Sequence, residues 1–371
     1  MSHTIVVGGG VIGCGIALRL AQAGMQVTLV ERASAGAEAS SAAAGVLGAQ
    51  LGAERPGPFL DLCLRSRGMY PAFVDELQKL SGINVRYLSC GALVVALTDA
   101  EAQAMEATVA WHRAVGLRAE LLSQAEISRI EPRLSSQIVL AIHFPDDHQV
   151  DNRLLVRAVS LAAARAGAQL RTAEVRGVVA DHGRAVGVDL DGEVLRSDAV
   201  VVAAGSWSSL LAGLNLDVRV VRPVRGQMVR LQSQLSLLQR IVIGPNAVLV
   251  PRIDGQVIAG TTLEFAGFEK QVTASAISNI LRGAIELCPA LADAPIQELW
   301  SGLRPHTDDG LPIIGPGPMA GLFLATGHYR DGILLAPITA KLITELILGG
   351  KPSVDLRPFR FERLAAGSPV A

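Results

Sequence analysis

At 371 residues the chain has room for two domains or one large discontinuous one, and is too long for a small scaffold held together by disulfides or zinc. Half of its residues are hydrophobic and 18% are charged, a balance that excludes a disordered chain. With 33 basic and 34 acidic residues the formal net charge is -1, which removes the electrostatic case for nucleic acid or an anionic membrane and leaves a small molecule as the expected partner.

The chain opens on Thr4-Ile5-Val6-Val7, a β-branched run suited to burial on both faces of a parallel sheet. It enters Gly8-Gly9-Gly10-Val11-Ile12-Gly13 directly, with Gly8, Gly10 and Gly13 in GxGxxG spacing. The first glycine permits the tight turn, the second lets a pyrophosphate approach the backbone, and the third lets a helix pack on the strand. Helix-start amides then face the phosphates. A helix continuing to Gly24, a second strand over 26–30 and the terminal acid Glu31, near the ~20-residue spacing at which a carboxylate meets the ribose hydroxyls, complete a dinucleotide-binding unit. This unit leaves FAD and NAD both open. The small-residue segment from Ser40 to Gly48 is able to pass close to a bulky ring system.

Farther on, helical spacing predicts helices over 59–80 and 100–115, with strand composition over 85–96 interrupted by Gly91. After a turn at 145–150, Asp151 caps a helix reaching Gly167. Short strands follow at 169–172, 175–179, 185–190 and 193–196, with turns at His182-Gly183 and Asp191-Gly192. A buried strand over 199–203 ends at Ala204-Gly205-Ser206. The uncharged stretch 199–216 has a polar Gly-Ser-Trp-Ser centre and reads as strand, turn and short helix, so no integral membrane segment is expected. Strands at 224–231, 247–251 and 256–260, a helix over 275–288, a strand over 322–325, a loop over 326–331 and a helix over 332–348 close the chain.

Parallel-sheet signals at the start, middle and end, with antiparallel material between them, imply an α/β chain whose nucleotide domain is interrupted by an inserted sheet domain. The start carries no secretory leader, and Cys14, Cys63, Cys90 and Cys288 form no CxxC pair, so a cytoplasmic protein with reduced thiols is expected. His143 and His148 flank Asp146-Asp147 without the spacing of a metal site, and no metal is expected. Arg304, in a Gly-Leu-Arg-Pro stretch read as a turn and otherwise short of charge, is suited to grip a carboxylate through two parallel hydrogen bonds.

The order of motifs resembles the D-amino acid oxidase family of flavoproteins, and within it the glycine oxidases of the thiazole pathway. The most specific pieces are Ser41-Ala-Ala-Ala-Gly45-Val-Leu-Gly48, the Ala204-Gly205 turn, Gly302-Leu-Arg-Pro305 followed by Asp309-Gly-Leu-Pro-Ile-Ile-Gly315, and Gly327-His-Tyr-Arg-Asp-Gly-Ile-Leu-Leu-Ala-Pro337. The resemblance implies a doubly wound, Rossmann-like FAD domain (1–82, 145–218 and 300–371) with an inserted, largely antiparallel substrate domain (83–144 and 219–299). It also implies oxidation of an amine or amino acid by noncovalent FAD with O2 as acceptor, and a homo-oligomer. Val11, Ile12, Glu31, Arg32 and Ser40 would hold the nucleotide, and Val175 would touch the adenine part. Ser41, Ala44, Gly45, Val46, Leu47, Ala204, Gly205 and the stretch His328, Tyr329, Arg330, Asp331, Gly332, Ile333 and Leu334 would surround the flavin. Arg304 would anchor the substrate carboxylate, with Arg330 as a second contact or as a partner of Asp331, and Gly48 would face the substrate; His306, beside Arg304, is placed to face the substrate or to belong to a polar loop. Two positions depart from the family pattern: Val248 stands where related glycine oxidases carry a tyrosine, and Leu263 where a methionine is familiar. Losing the phenol frees volume, which widens the expected substrates from glycine to larger or N-alkylated amino acids. A dehydrogenase using another electron acceptor and a noncatalytic FAD-binding subunit remain alternatives.

Overall fold

The computed structural model describes residues 2–53, 55–214, 220–233 and 236–365. Two large sheets organise them. The first has six strands in the order Ile313–Pro316, Leu322–Thr326, Ala199–Val202, His3–Val7, Gln26–Glu31 and Gln169–Thr172. All neighbours are parallel except the first pair. Side chains alternate between two cores, as the two-residue strand period requires. Val6, Leu29 and Val201 point to one face, covered by the helices Val11–Gln22, Pro58–Ser81, Asn152–Arg165 and Gly332–Ile347. Ile5, Val7, Val200 and Val202 point to the other, covered by the antiparallel meander Gly177–Asp181, Arg184–Leu190 and Glu193–Arg196. Strands hydrophobic on both sides are therefore buried on both sides. Asp151 caps its helix as expected, accepting from the Arg153 and Leu154 amides at 3.1 and 3.0 Å.

The second sheet has eight strands in the order Ile296–His306, Arg222–Gln232, Gln256–Gly260, Val248–Pro251, Ile241–Ile243, Ala92–Ala96, Leu140–Phe144 and Glu120–Ser123. Its neighbours are antiparallel except for Ile241–Ile243 with Ala92–Ala96. One face packs on the helix Ala274–Leu287 through Val229, Val257, Ala259, Ile277 and Ile280. The other, with Met228, Val250 and Ile258, turns toward the small-residue segment at Ala44 and Val46.

Several elements differ from the sequence reading. Gly302-Leu-Arg-Pro305 is the end of an eleven-residue strand and not a turn. Pro305 misled because it lacks an amide donor, yet this strand lies at the sheet's edge, where the missing donor breaks no ladder on the open side. Within 85–96 only Ala92–Ala96 is regular strand, and the strand expected at 175–179 runs Gly177–Asp181. Strands at Glu120–Ser123, Leu140–Phe144, Ile241–Ile243 and Ile313–Pro316 were not anticipated, being too short to show a period. The domain boundary drawn at 300 falls inside the strand Ile296–His306, and that drawn at 218 lies outside the described residues. Among the described residues no helix is long and apolar enough to cross a membrane, and no cluster of histidine, cysteine or acidic side chains could hold a metal ion.

Candidate active site

The two sheets enclose a cleft of about 660 Å³, the size range of cofactor sites. One end is organised by the backbone of the glycine turn. Gly8 takes a left-handed φ of 106°, and a Cβ there would lie 2.5 Å from the Ala203 carbonyl oxygen. A Cβ on Gly13 would meet the Gly8 carbonyl oxygen at 1.9 Å, so Gly13 serves the packing of turn on helix and does not itself line the cleft. Gly8, Gly10, Val11 and Ile12 do line it. Gly10 caps the helix with no side-chain bond, while Ser40 Oγ accepts from the Val11 amide at 3.0 Å. Glu31 closes this end, its carboxylate accepting from the Gly9 amide at 2.7 Å and the Ala33 amide at 3.0 Å. Arg32 lies over the Trp207 ring at 4.1 Å and pairs with Glu38 at 2.6 Å, and Val175 completes the wall.

The small-residue segment forms the next part of the wall through Ser40, Ala44, Gly45, Val46 and Gly48. Its carbonyls are pinned from behind. Asn152 donates to Ser40 O and Ser41 O (2.8 and 3.1 Å), the buried Arg252 to Ala44 O (2.9 Å), and Trp300 Nε1 to Ala42 O (3.0 Å). These supporting side chains escaped the sequence reading because they come from three distant segments. Gly302 leaves the space this approach needs, since a Cβ there would sit 2.3 Å from Ala42 Cβ. Ser41 and Leu47 do not line the cleft.

The start of the last helix faces the same space. His328, Tyr329, Arg330, Asp331, Gly332 and Ile333 line the cleft, together with Ala204 and Gly205, whereas Leu334 is buried behind the wall. Tyr70 Oη donates to Ile333 O and Ser66 Oγ to Leu334 O, fixing the helix start. No side chain caps it, so its amides remain for a ligand with anionic character. His328 shares a hydrogen bond with Thr339 Oγ1 at 3.0 Å, and burial pushes its pKa down to about 3, so it is neutral. Burial pushes the Asp331 carboxyl up to about 6, with Arg330 opposing the shift and Asp147 adding to it.

At the far end, Arg304 projects from the edge strand of the larger sheet. Its Nη2 donates to Thr261 Oγ1 at 2.5 Å and its Nη1 to Thr262 O at 3.1 Å, and among the described residues it has no carboxylate partner. Desolvation draws its pKa below the usual arginine value, but a guanidinium stays protonated in proteins. Leu51, Met228, Ile243 and Val248, which belong to one apolar cluster, line the same cleft. Arg330 is exposed and lies over the Tyr329 ring at 5.1 Å, without an ion pair to Asp331. His306 and Leu263 do not line the cleft. The His306 ring packs between Tyr329 (4.7 Å) and Phe265 (5.8 Å), and Leu263 is 55% exposed because the chain leaves the sheet after Gly260. Thr261, Gly226 and Met228 line the cleft without a signal in the sequence, because only the folded sheet brings Gly226 and Thr261 against Arg304 and Met228 against Gly260.

The backbone turn, the acid at the second strand's end and the pinned small-residue wall fit an FAD lying along the cleft. Known proteins agree. Residues 3–346 match the family described as FAD dependent oxidoreductase (DAO). The chain is 40% identical over 370 residues to the bifunctional protein ThiO/ThiG of Synechocystis sp., covering 98% of this chain and 54% of that one, so it spans about half of that relative's length. It is 37% identical over 365 residues to the glycine oxidase of Geobacillus kaustophilus, covering 96% of each. The crystal structure of glycine oxidase from that organism superposes with a TM-score of 0.93 at 36% identity, over 97% of this chain and 99% of that one. Iminodiacetate oxidase from Chelativorans sp. superposes with a TM-score of 0.87 at 28% identity, over 96% of this chain and 98% of that one. The chain thus belongs to the DAO family of FAD-dependent oxidoreductases, with FAD as its cofactor.

Proposed function

We propose that this chain oxidises glycine or a small or N-substituted amino acid to its imine, with O2 reduced to hydrogen peroxide. The observation that carries the reading is Arg304, a cation without a carboxylate partner among the described residues, lining the same cleft as the apolar side chains of Leu51, Met228, Ile243 and Val248. Two of its N–H groups are engaged by Thr261 and Thr262, leaving others of its five to hold a substrate carboxylate.

Gly8, Gly10, Val11, Ile12, Glu31 and Arg32 would hold the nucleotide part of FAD, and the segments 42–46 and 328–333 its ring system. When bound, FAD would supply the two-electron oxidising chemistry, with O2 as the final acceptor. The chain's own residues do the rest. Arg304 fixes the carboxylate and thereby the direction of the Cα–H bond. Leu51, Met228, Ile243 and Val248 exclude water and disfavour an ammonium, selecting the neutral amine. His328, held neutral by burial, adds no charge to the cleft wall. The imine hydrolyses to a 2-oxo acid, glyoxylate from glycine, with release of ammonia or an amine. Val248 gives the wall less bulk than a tyrosine would, which supports substrates with an N-alkyl group alongside glycine. The likeness to proteins named ThiO/ThiG supports a role in making the thiazole of thiamine.

The test is to incubate FAD-loaded protein with glycine, sarcosine, N-ethylglycine and D-alanine, measuring peroxide and 2-oxo acid against substrate consumed. One peroxide per substrate is expected. Rapid dye reduction without peroxide would replace the oxidase by a dehydrogenase, and no turnover of any substrate would overturn the reading.

A further inference from the structure

Arg304 does not set its own direction. Both groups that hold its guanidinium, Thr261 Oγ1 and Thr262 O, lie on the short irregular segment after the strand Gln256–Gly260. The aim of the guanidinium therefore depends on what holds that segment, and the contacts converge on Glu264. Its backbone exchanges two hydrogen bonds with Arg225, Arg225 N to Glu264 O at 2.9 Å and Glu264 N to Arg225 O at 3.0 Å. Its Oε1 accepts from Gln227 Nε2 at 2.8 Å and from Thr262 Oγ1 at 2.5 Å. Its Oε2 accepts from Arg225 Nε at 3.1 Å and also from Arg225 Nη2. Thr262 Oγ1 in turn accepts from the Gln227 amide at 3.0 Å. Gln227 is fully buried and Arg225 is 7% exposed, so these two hold the partly exposed Glu264 carboxylate from the inner side.

We propose that Glu264 is a positioning residue for the carboxylate anchor, acting on Arg304 through Thr262. The carboxylate neutralises Arg225 and fixes the Thr262 hydroxyl, and the Thr262 carbonyl then turns one edge of the Arg304 guanidinium away from the cleft. Gly226 completes the device from the other side. A Cβ there would lie 2.2 Å from Arg304 Nη2 and 2.4 Å from Cζ, so only glycine lets the guanidinium lie against the strand. Glu264 itself does not line the cleft, and its effect on substrate is indirect. The inference rests on the reading of Arg304 as the carboxylate anchor.

The test uses FAD-loaded protein and acetate, a carboxylate with no amine to oxidise, whose binding is followed by its perturbation of the flavin spectrum and by competition with glycine. Thr262→Val, which keeps the shape and removes the hydroxyl, and Glu264→Ala should each weaken acetate by about tenfold and raise KM by a similar factor with little change in kcat. FAD content should be unchanged, and Thr262→Ser should restore the parent affinity. In an Arg304→Ala background Thr262→Val should add nothing, an outcome that general damage to the fold would not produce. If Glu264→Ala does not fold, Thr262→Val and its cycle with Arg304→Ala decide alone. Parent-like acetate binding in Thr262→Val, or losses that add to that of Arg304→Ala, would overturn the proposal while leaving the anchor in place. Acetate binding unaffected by Arg304→Ala would overturn the anchor and this inference with it.

Discussion

The two ends of the cleft are built on different principles. The nucleotide end is built mainly on one local unit, a strand, a glycine turn, a helix and an acid all within positions 3–31, with Arg32, Ser40, Val175 and Trp207 added around its backbone turn. The substrate end is made of side chains far apart in the chain, with Val248 and Arg304 carried by strands paired antiparallel to Gln256–Gly260 and Arg222–Gln232, and Thr261 on the segment that follows Gly260. A backbone site tolerates little variation because an added methyl group meets a carbonyl. A side-chain site is adjustable one residue at a time, so substrate choice is free to vary while the cofactor end stays fixed.

Substitutions at each end sharpen that contrast. The largest effect is expected from Gly13→Ala, whose Cβ would fall 1.9 Å from the Gly8 carbonyl oxygen. Overpacking against backbone should cost about 3 kcal/mol or more, read as a lower denaturation midpoint together with lost FAD. Retention of FAD at parent stability would remove the turn from the cofactor site. Next is Arg304→Ala, which should raise KM for glycine by a factor equivalent to about 2–4 kcal/mol while FAD stays bound. Loss of FAD as well would mean that the two ends are not separable. Val248→Tyr should be milder, shifting the kcat/KM ratio of glycine to N-ethylglycine toward glycine by about tenfold. An unchanged ratio would take Val248 out of the wall that meets the substrate nitrogen.

The smallest effect concerns Asp331, at the N-terminus of the last helix, where the two ends meet. Burial raises its pKa from 3.8 to about 6, so between these values the folded chain keeps a proton that the unfolded chain has released. Stability then falls as pH rises through this window. Asp331→Asn removes the decline, and the apoprotein variant should gain about 2 °C in Tm relative to the parent between pH 4 and pH 7. Parallel Tm curves for the two proteins would contradict the burial of this carboxyl.

How much of this was readable from sequence follows the same division. The glycine turn and Glu31 were legible because local periodicity and spacing define them. Arg304 was legible as a residue type in a family motif, but its strand was read as a turn, since a proline on an edge strand and a proline in a turn look alike without the sheet. Thr261, Thr262, Gly226 and Glu264 carried no signal, because their roles exist only through pairings such as Arg225 with Glu264 and Gly226 with Gly302. Leu263 was assigned to the site by family position and His306 by its place beside Arg304; the irregular chain after Gly260 leaves Leu263 in solvent, and His306, at the end of its strand, packs between two rings.

The most direct test of the central claim, that an FAD-binding backbone cradle presents its cofactor to an amino acid anchored by Arg304, is anaerobic mixing of the FAD-loaded protein with glycine or sarcosine. The visible flavin absorbance should bleach in the parent at substrate concentrations that leave Arg304→Ala yellow and fully loaded with FAD. Persistent yellow colour in the parent with every amino acid, or equal bleaching of parent and Arg304→Ala at the same low concentration, would contradict it.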